Sequence, residues 1–503
     1  MNTTIITKKP GIILPIMLIV IAALFRLWRI SELTEFLGDQ GRTGMVIYDA
    51  WKTGILPLAG PTVLSGQHLG PFFYYLIGPA FILGRFNPIV PSVFIALLGV
   101  ASVGLLFVLG KRLFGFWIGW GIALLYAVAA YLIPADRTIW EPTVIPFFVL
   151  LYTLCVYELV EKRNYWSLLA MGILVGILVQ LHYPMVFFIG LSSLLYVILF
   201  FRKGSSKKTL FVWLLAGIGG FVFVFFPFLL YEAQHGWVDI REIVFILAFG
   251  GSGGQASLSY AARILDASSK IFGYLAPGAS PWFIVFLQLF VVVAAIWRRT
   301  FWSLFFAGWY ALGIVTIAMY RGVVFDHYLF FLLPVAYLLL GQSIWSLRRL
   351  FPMPFMLGFM SFLVIINVQK TDLFLPVGNN DISRVRNMAN EILMSAKNQP
   401  FSFTLIHSRS FSDLHYRYFF KLAGIEPRPI TDAAYGTLFL VCDQFPCPSK
   451  GEMMQKRQIQ AMCFEPHCKG TYPTIDLSSW KLTAALYAPD GRIFMYTSSG
   501  VKR

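Results

Sequence analysis

The chain has 503 residues, 58% of them apolar and only 13% charged, with 48 Phe and 14 Trp, a balance that excludes an ordinary soluble globular protein. A formal net charge of +16 would suit a nucleic-acid partner in a soluble protein. Here the cations fall in short clusters between uncharged apolar runs, so they read as topology signals, and no nucleic acid is expected.

A run of about 20 apolar residues crosses a hydrocarbon core roughly 30 Å thick. Such runs recur along the chain up to residue 370, and stretches such as "VIPFFVLLYTLCVY" and "FVFVFFPFLL" are apolar on every side. They suit helices and exclude the alternation of a membrane barrel. The cation clusters are Lys8 and Lys9, Lys111 and Arg112, Lys162 and Arg163, Arg202 with Lys203, Lys207 and Lys208, Arg298 and Arg299, and Arg348 and Arg349. Placing all of them in the cytoplasm predicts about eleven transmembrane helices, over 11–30, 88–110, 116–134, 143–160, 165–182, 184–201, 210–231, 280–297, 300–319, 328–347 and 351–369. The N-terminus is then cytoplasmic and the C-terminal part extracytoplasmic, in a cell (inner) membrane. The first segment reads as a retained anchor rather than a cleaved signal peptide, because no small-residue cleavage site follows it. Residues 71–84, "PFFYYLIGPAFILG", are short and broken by Gly78 and Pro79, and read as a re-entrant or interfacial segment.

This topology gathers the unusual polar residues on the outer side. The first outer loop, 31–87, holds Asp39, Gln40, Arg42, Gln67, His68 and Tyr74. Next come "PADRTIWEP", with Asp136, Arg137 and Glu141, and "LHYP", with His182 and Tyr183. A longer loop, 231–279, contains the Gly-rich "FGGSGGQ", and the last, "YRGVVFDHY", carries Arg321, Asp326, His327 and Tyr328. The spans have almost no charge in their middles, which argues against an ion-coupled transporter and for an enzyme working at the outer interface.

Beyond residue 369 the composition becomes that of a small α/β domain: "DISRVRNMANEILMSA" has helical period, "FSFTLIH" and "GTLFLVC" read as strands, "HYRYFFKLAG" as a helix with a Gly stop, and "ALYAPDGRIFMYT" as a hairpin. The chain thus divides into a transmembrane part, 1–369, and an extracytoplasmic domain, 370–503. Cys442, Cys447, Cys463 and Cys468 have spacing that suits either zinc or two disulfides, and an oxidising outer face favours disulfides in one of three pairings.

The ordered series "RLWRI", "GDQGRT", "VIYDAWKTGILP", "HLGPFFYYL", "GKRLFG", "DRTIWEP", "LHYP" and "HYLFFLLP", over about residues 11–345, resembles the C-type (GT-C) membrane glycosyltransferases. The series is similar to the glycosyltransferase family 39-like proteins related to protein O-mannosyltransferases and to the aminoarabinose transferase of lipid A. The resemblance implies the GT-C fold, a polyprenyl-phosphate sugar donor, membrane lipids as surroundings, an acceptor of unknown identity in the envelope (lipid, glycan or protein), and inversion at the anomeric carbon. A flippase or transporter of a lipid-linked sugar is the alternative.

Within that likeness Asp39 and Glu141 take the acidic positions, as general base and second carboxylate. Asp39 alternatively serves as a helix cap, and Glu141 as a helix-start carboxylate. Where the family commonly has a second acid after the first, this chain has Gln40, so no metal site or other cofactor is expected, although a divalent ion stays open. Arg321, His327, Arg42 and Arg137 are candidates for the donor phosphate, since guanidinium geometry matches phosphate; the alternative for each is snorkelling or pairing with a nearby acid. Gln40, His68, Tyr74, His182, Tyr183 and Tyr328 are candidate substrate contacts.

Overall fold

The computed structural model describes residues 11–63, 66–202, 206–249, 259–348, 350–430, 436–463, 473–488 and 491–498. Apolar helices dominate as far as Lys370. Ile89–Phe114, Glu141–Lys162, Tyr183–Phe201, Lys207–Gln234 and Phe301–Met319 are long and apolar enough to cross a membrane by length and composition. Ile13–Leu27, Phe116–Ala127, Trp166–Leu181, Pro281–Trp297, Leu333–Leu347 and Pro354–Lys370 are shorter apolar helices at the other predicted spans. The chain is a multi-pass membrane protein.

The boundaries move where helix physics carries a segment past its apolar run. Ile89–Phe114 keeps Lys111 and Arg112 in its last turn, where cations complement the negative end of the helix dipole. Phe72–Leu83 has 12 residues with Pro79 inside, about 18 Å of helix, which falls short of the hydrocarbon thickness. The Gly-rich stretch 250–255 lies outside the described residues.

Two compact units make up the chain. The first is drawn from residues 1–30, 56–80 and 91–376. Small residues let its helices approach closely: Gly172 of Trp166–Leu181 lies against the backbone of Gly217 in Lys207–Gln234, where any side chain would collide. Buried ion pairs fix its helix ends, with Arg26 Nε 2.7 Å from Asp136 and Arg137 Nη1 2.9 Å from Asp372.

The second unit is drawn from residues 31–55, 81–90 and 377–503. Its sheet runs β1-β2-β6-β5, with β1 (Phe401–His407), β2 (Thr437–Cys442), β5 (Trp480–Ala488) and β6 (Gly491–Ser498). A separate short pair, β3 (Gln458–Gln460) and β4 (Thr474–Asp476), completes the strands among the described residues. β1 and β2 are parallel, as a crossover through the helix Leu414–Leu422 requires, and the other pairings are antiparallel. Leu438, Leu440, Phe494 and Tyr496 alternate inward to form its core.

This unit includes residues 31–55, which sequence order had placed with the membrane part. The reason lies in the helix Gly38–Thr53, whose Gly38, Gly41 and Gly44 make one side chain-free face. A Cβ at Gly41 would lie 2.5 Å from the Cα of His415 and the carbonyl oxygen of Leu414. Gly44 is covered in the same way by the ring of Tyr418. A disulfide joins Cys442 and Cys447, which removes two of the four thiolates that a zinc site would need. Cys463 is also disulfide-bonded, Cys468 lies outside the described residues, and Cys155 is free.

Candidate active site

Asp39 stands in the first turn of Gly38–Thr53. With the glycine face packed inward, its side chain is left 49% exposed, and it pairs at 3.0 Å with Arg42, one turn on and 27% exposed. The first N–H groups of a helix lack partners within it. Here the three backbone N–H groups leading into the helix each meet a side-chain oxygen: Phe36 donates to Asp381 Oδ2 at 3.4 Å, Leu37 to Gln40 Oε1 at 2.8 Å and Gly38 to Ser410 Oγ at 3.0 Å. Asp39 therefore follows directly on a pinned segment. Gln40, expected from sequence to touch substrate, is instead 3% exposed and spends its carbonyl oxygen on the Leu37 cap.

Asp381, beneath this segment, is fully buried. Burial pushes its carboxyl up from the ordinary range, while Arg384 and Arg409, both paired to its Oδ1, oppose the shift. Nearby, burial also works against ionisation of Asp443, but the neighbouring His415, with Ser408 and Arg384, outweighs it and holds that carboxyl below its usual value. The platform under the helix is thus a charged network in which Asp381 pairs with Arg384 and Arg409, and Asp443 lies 3.5 Å from His415.

The remaining predicted residues belong to the first unit. His182, His327 and Tyr328 come together there: the His182 ring lies 5.1 Å from His327 and 4.7 Å from Tyr328, and His327 and Tyr328 are 4.7 Å apart, centre to centre. Trp140, which sequence reading did not select, covers His327 at 4.4 Å, and the next residue, Glu141, is buried at the start of a 3-10 turn. Burial drives the His327 imidazole down to about 4. Burial thus works against the cationic form that a phosphate contact by His327 would use. Arg321, close in sequence, is exposed, and among the described residues it has no ion-pair or hydrogen-bond partner.

Arg137 departs most from expectation. It is fully buried; besides Asp372, its Nη2 donates to the Phe25 carbonyl at 2.7 Å and its Nε to that of Arg26 at 3.2 Å. All three nitrogens are engaged within the protein, so this guanidinium fastens the end of Ile13–Leu27 rather than facing a ligand. His68 and Tyr183 do meet, through a 2.7 Å bond from the tyrosine hydroxyl to the His68 carbonyl. His68 Nδ1 also lies 3.1 Å from Asp239 and 3.2 Å from the Tyr231 hydroxyl, two partners more than 160 residues away. Tyr74 is buried. No group of three or more His, Cys, Asp or Glu suited to a metal ion occurs among the described residues.

A multi-pass helical membrane part joined to a small strand-containing C-terminal region is the architecture of the C-type membrane glycosyltransferases, and the chain has that fold. The aminoarabinose transferase ArnT from Cupriavidus metallidurans, in the apo state, superposes with a TM-score of 0.62 at 12% identity, over 96% of this chain and 98% of that one. The same enzyme bound to undecaprenyl phosphate gives 0.60 at 12% identity, over 95% and 97%. The archaeal oligosaccharyltransferase AglB from Archaeoglobus fulgidus, in complex with an inhibitory peptide and a dolichol-phosphate, gives 0.50 at 12% identity, over 85% and 69%. No family model and no curated protein matches the chain.

Proposed function

We propose that the chain is an inverting glycosyltransferase that moves a sugar from a polyprenyl-phosphate carrier to an envelope acceptor on the outer face of the membrane. The observation that carries this reading is the end-to-end likeness to ArnT, a structure of which holds undecaprenyl phosphate. The Cys442–Cys447 disulfide supports an oxidising, extracytoplasmic setting for the C-terminal part.

In a single displacement the acceptor hydroxyl attacks the anomeric carbon from the side opposite the phosphate. The carbon–oxygen bond to the carrier breaks, its electron pair leaves with the phosphate, and the hydroxyl proton passes to a carboxylate. Asp39 is that base: it is exposed, ionisable and set on a fixed helix start, as general-base catalysis requires. Arg321 compensates charge on the departing phosphate. Arg42, paired with Asp39, orients the carboxylate, and Glu141 stands as the second acidic group.

Turnover of Asp39→Asn in lipid vesicles tests the reading. Asn keeps the shape and most of the capping ability, so the protein should fold while transfer falls by about 100-fold or more. A near wild-type rate would make Asp39 a cap and Glu141 the base. Movement of lipid-linked sugar across the bilayer without release of carrier phosphate would favour a flippase.

A further inference from the structure

We propose that Ser410 is a positioning residue for Asp39, which makes the C-terminal part of the chain a component of the catalytic apparatus rather than an appended module. The proposal rests on the reading of Asp39 as general base. Ser410 is 2% exposed, and its hydroxyl is committed on every side. The hydroxyl donates to the Ser412 carbonyl at 2.7 Å and accepts from the Ser412 N–H at 3.3 Å, while the Ser410 N–H donates to Ser408 Oγ at 3.0 Å. With its hydrogen fixed toward Ser412, the remaining lone-pair direction meets the N–H of Gly38, the residue immediately before Asp39. A rotating surface serine could not fix a backbone; this one is held by its own loop.

Two further contacts make the same loop a seat. A side chain on Gly38 would collide with Ser412 Oγ, and one on Gly41 with the backbone at Leu414 and His415. The "GDQGRTG" segment therefore fits one surface of the C-terminal part at one spacing, and Asp39 emerges from that fit at a set position. A base must lie within hydrogen-bond reach of the proton it takes, and a misplacement of about 1 Å costs on the order of 100-fold in rate. Ser410 acts on that distance without touching substrate.

The test is a double-mutant cycle on the full chain in vesicles, with a lipid extract of the native cell envelope supplying donor and acceptor and released polyprenyl phosphate as the readout. Ser410→Ala should lower kcat by roughly 10-fold to 100-fold with donor KM within about twofold, and Ser410→Thr, which keeps the hydroxyl, should recover most of the rate. In an Asp39→Asn background Ser410→Ala should cause no further loss, because a residue acting only through Asp39 has nothing left to position. If Ser410→Ala does not accumulate, Ser410→Cys keeps the volume with a weaker acceptor and should show an intermediate loss of kcat. A full additional loss in the Asp39→Asn background, or a wild-type kcat for Ser410→Ala or Ser410→Cys while Asp39→Asn is impaired, would overturn the proposal. A wild-type rate for Asp39→Asn itself would instead remove the base assignment on which it rests.

Discussion

Gly41→Ala sets two effects of opposite sign against each other. In a helix interior Ala is favoured over Gly by about 1 kcal/mol, so propensity alone predicts stabilisation. Against this, the new Cβ would lie 2.5 Å from both the Cα of His415 and the oxygen of Leu414, and 2.6 Å from the nitrogen of His415. All three are backbone atoms at the start of the helix Leu414–Leu422, and none can rotate away. Restoring ordinary contact requires the two helices to separate by roughly 1 Å, and overpacking of this kind costs about 1 to 3 kcal/mol. Because the three atoms are backbone and cannot yield, packing should win, with a net loss of up to about 2 kcal/mol, and displacement of the segment carrying Asp39 should lower kcat by roughly 10-fold or more. Thermal unfolding in detergent and initial rates in vesicles measure both. Gly451→Ala is the control, since a Cβ there meets only Ser449 Oγ at 4.0 Å, and it should be neutral or slightly stabilising. If Gly41→Ala proves as stable and as active as that control, the glycine face is not a tight seat and the account of the helix is wrong.

Arg321→Ala should reduce turnover by roughly 30-fold to 1,000-fold, the loss of about 2 to 4 kcal/mol of transition-state stabilisation, with folding yield unchanged; an unchanged rate would move the phosphate role to Arg42. Arg137→Met should behave oppositely. Removing one member of a buried ion pair costs about 3 to 5 kcal/mol, so the melting temperature should fall while the folded fraction keeps its donor KM; a raised KM with intact stability would return Arg137 to the binding site. For pH, burial lowers His327 from the ordinary 6.5 to about 4, so between those values the unfolded chain binds more protons than the folded one. Its contribution to stability is therefore present above 6.5 and lost as pH falls toward 4, by at most about 3 kcal/mol. His327→Phe should flatten that part of a stability–pH curve, leaving the residual slope due to His182 and the other titrating groups, and an unchanged curve would contradict the burial argument.

The membrane helices were legible because hydrocarbon leaves few choices: a long, uncharged run must form its hydrogen bonds internally. Their ends were less so, since caps, dipoles and prolines decide them locally. Around Asp39 the sequence displayed the period-three glycines of "GDQGRTG", but what that face packs against lies about 375 residues further on, and no local pattern joins Gly41 to His415. Ser410 and Asp381 escaped notice for the same reason, standing 372 and 345 residues from the N–H groups they accept from. Arg137 and Arg321 looked alike in sequence, each a lone arginine in an outer loop with an acid nearby. What separates them is burial against two backbone carbonyls and Asp372, a difference made by tertiary packing. His68 could be named as a polar residue among aromatics, but its Asp239 partner, 171 residues away, could not.

The most direct measurement uses purified chain in vesicles given a native envelope lipid extract, with free polyprenyl phosphate and glycosylated acceptor quantified together by mass spectrometry. The two should appear in equal amounts with wild-type protein, and both should fall by about 100-fold or more with Asp39→Asn. Donor that crosses the bilayer intact, or carrier phosphate released equally by both proteins, would contradict this mechanism.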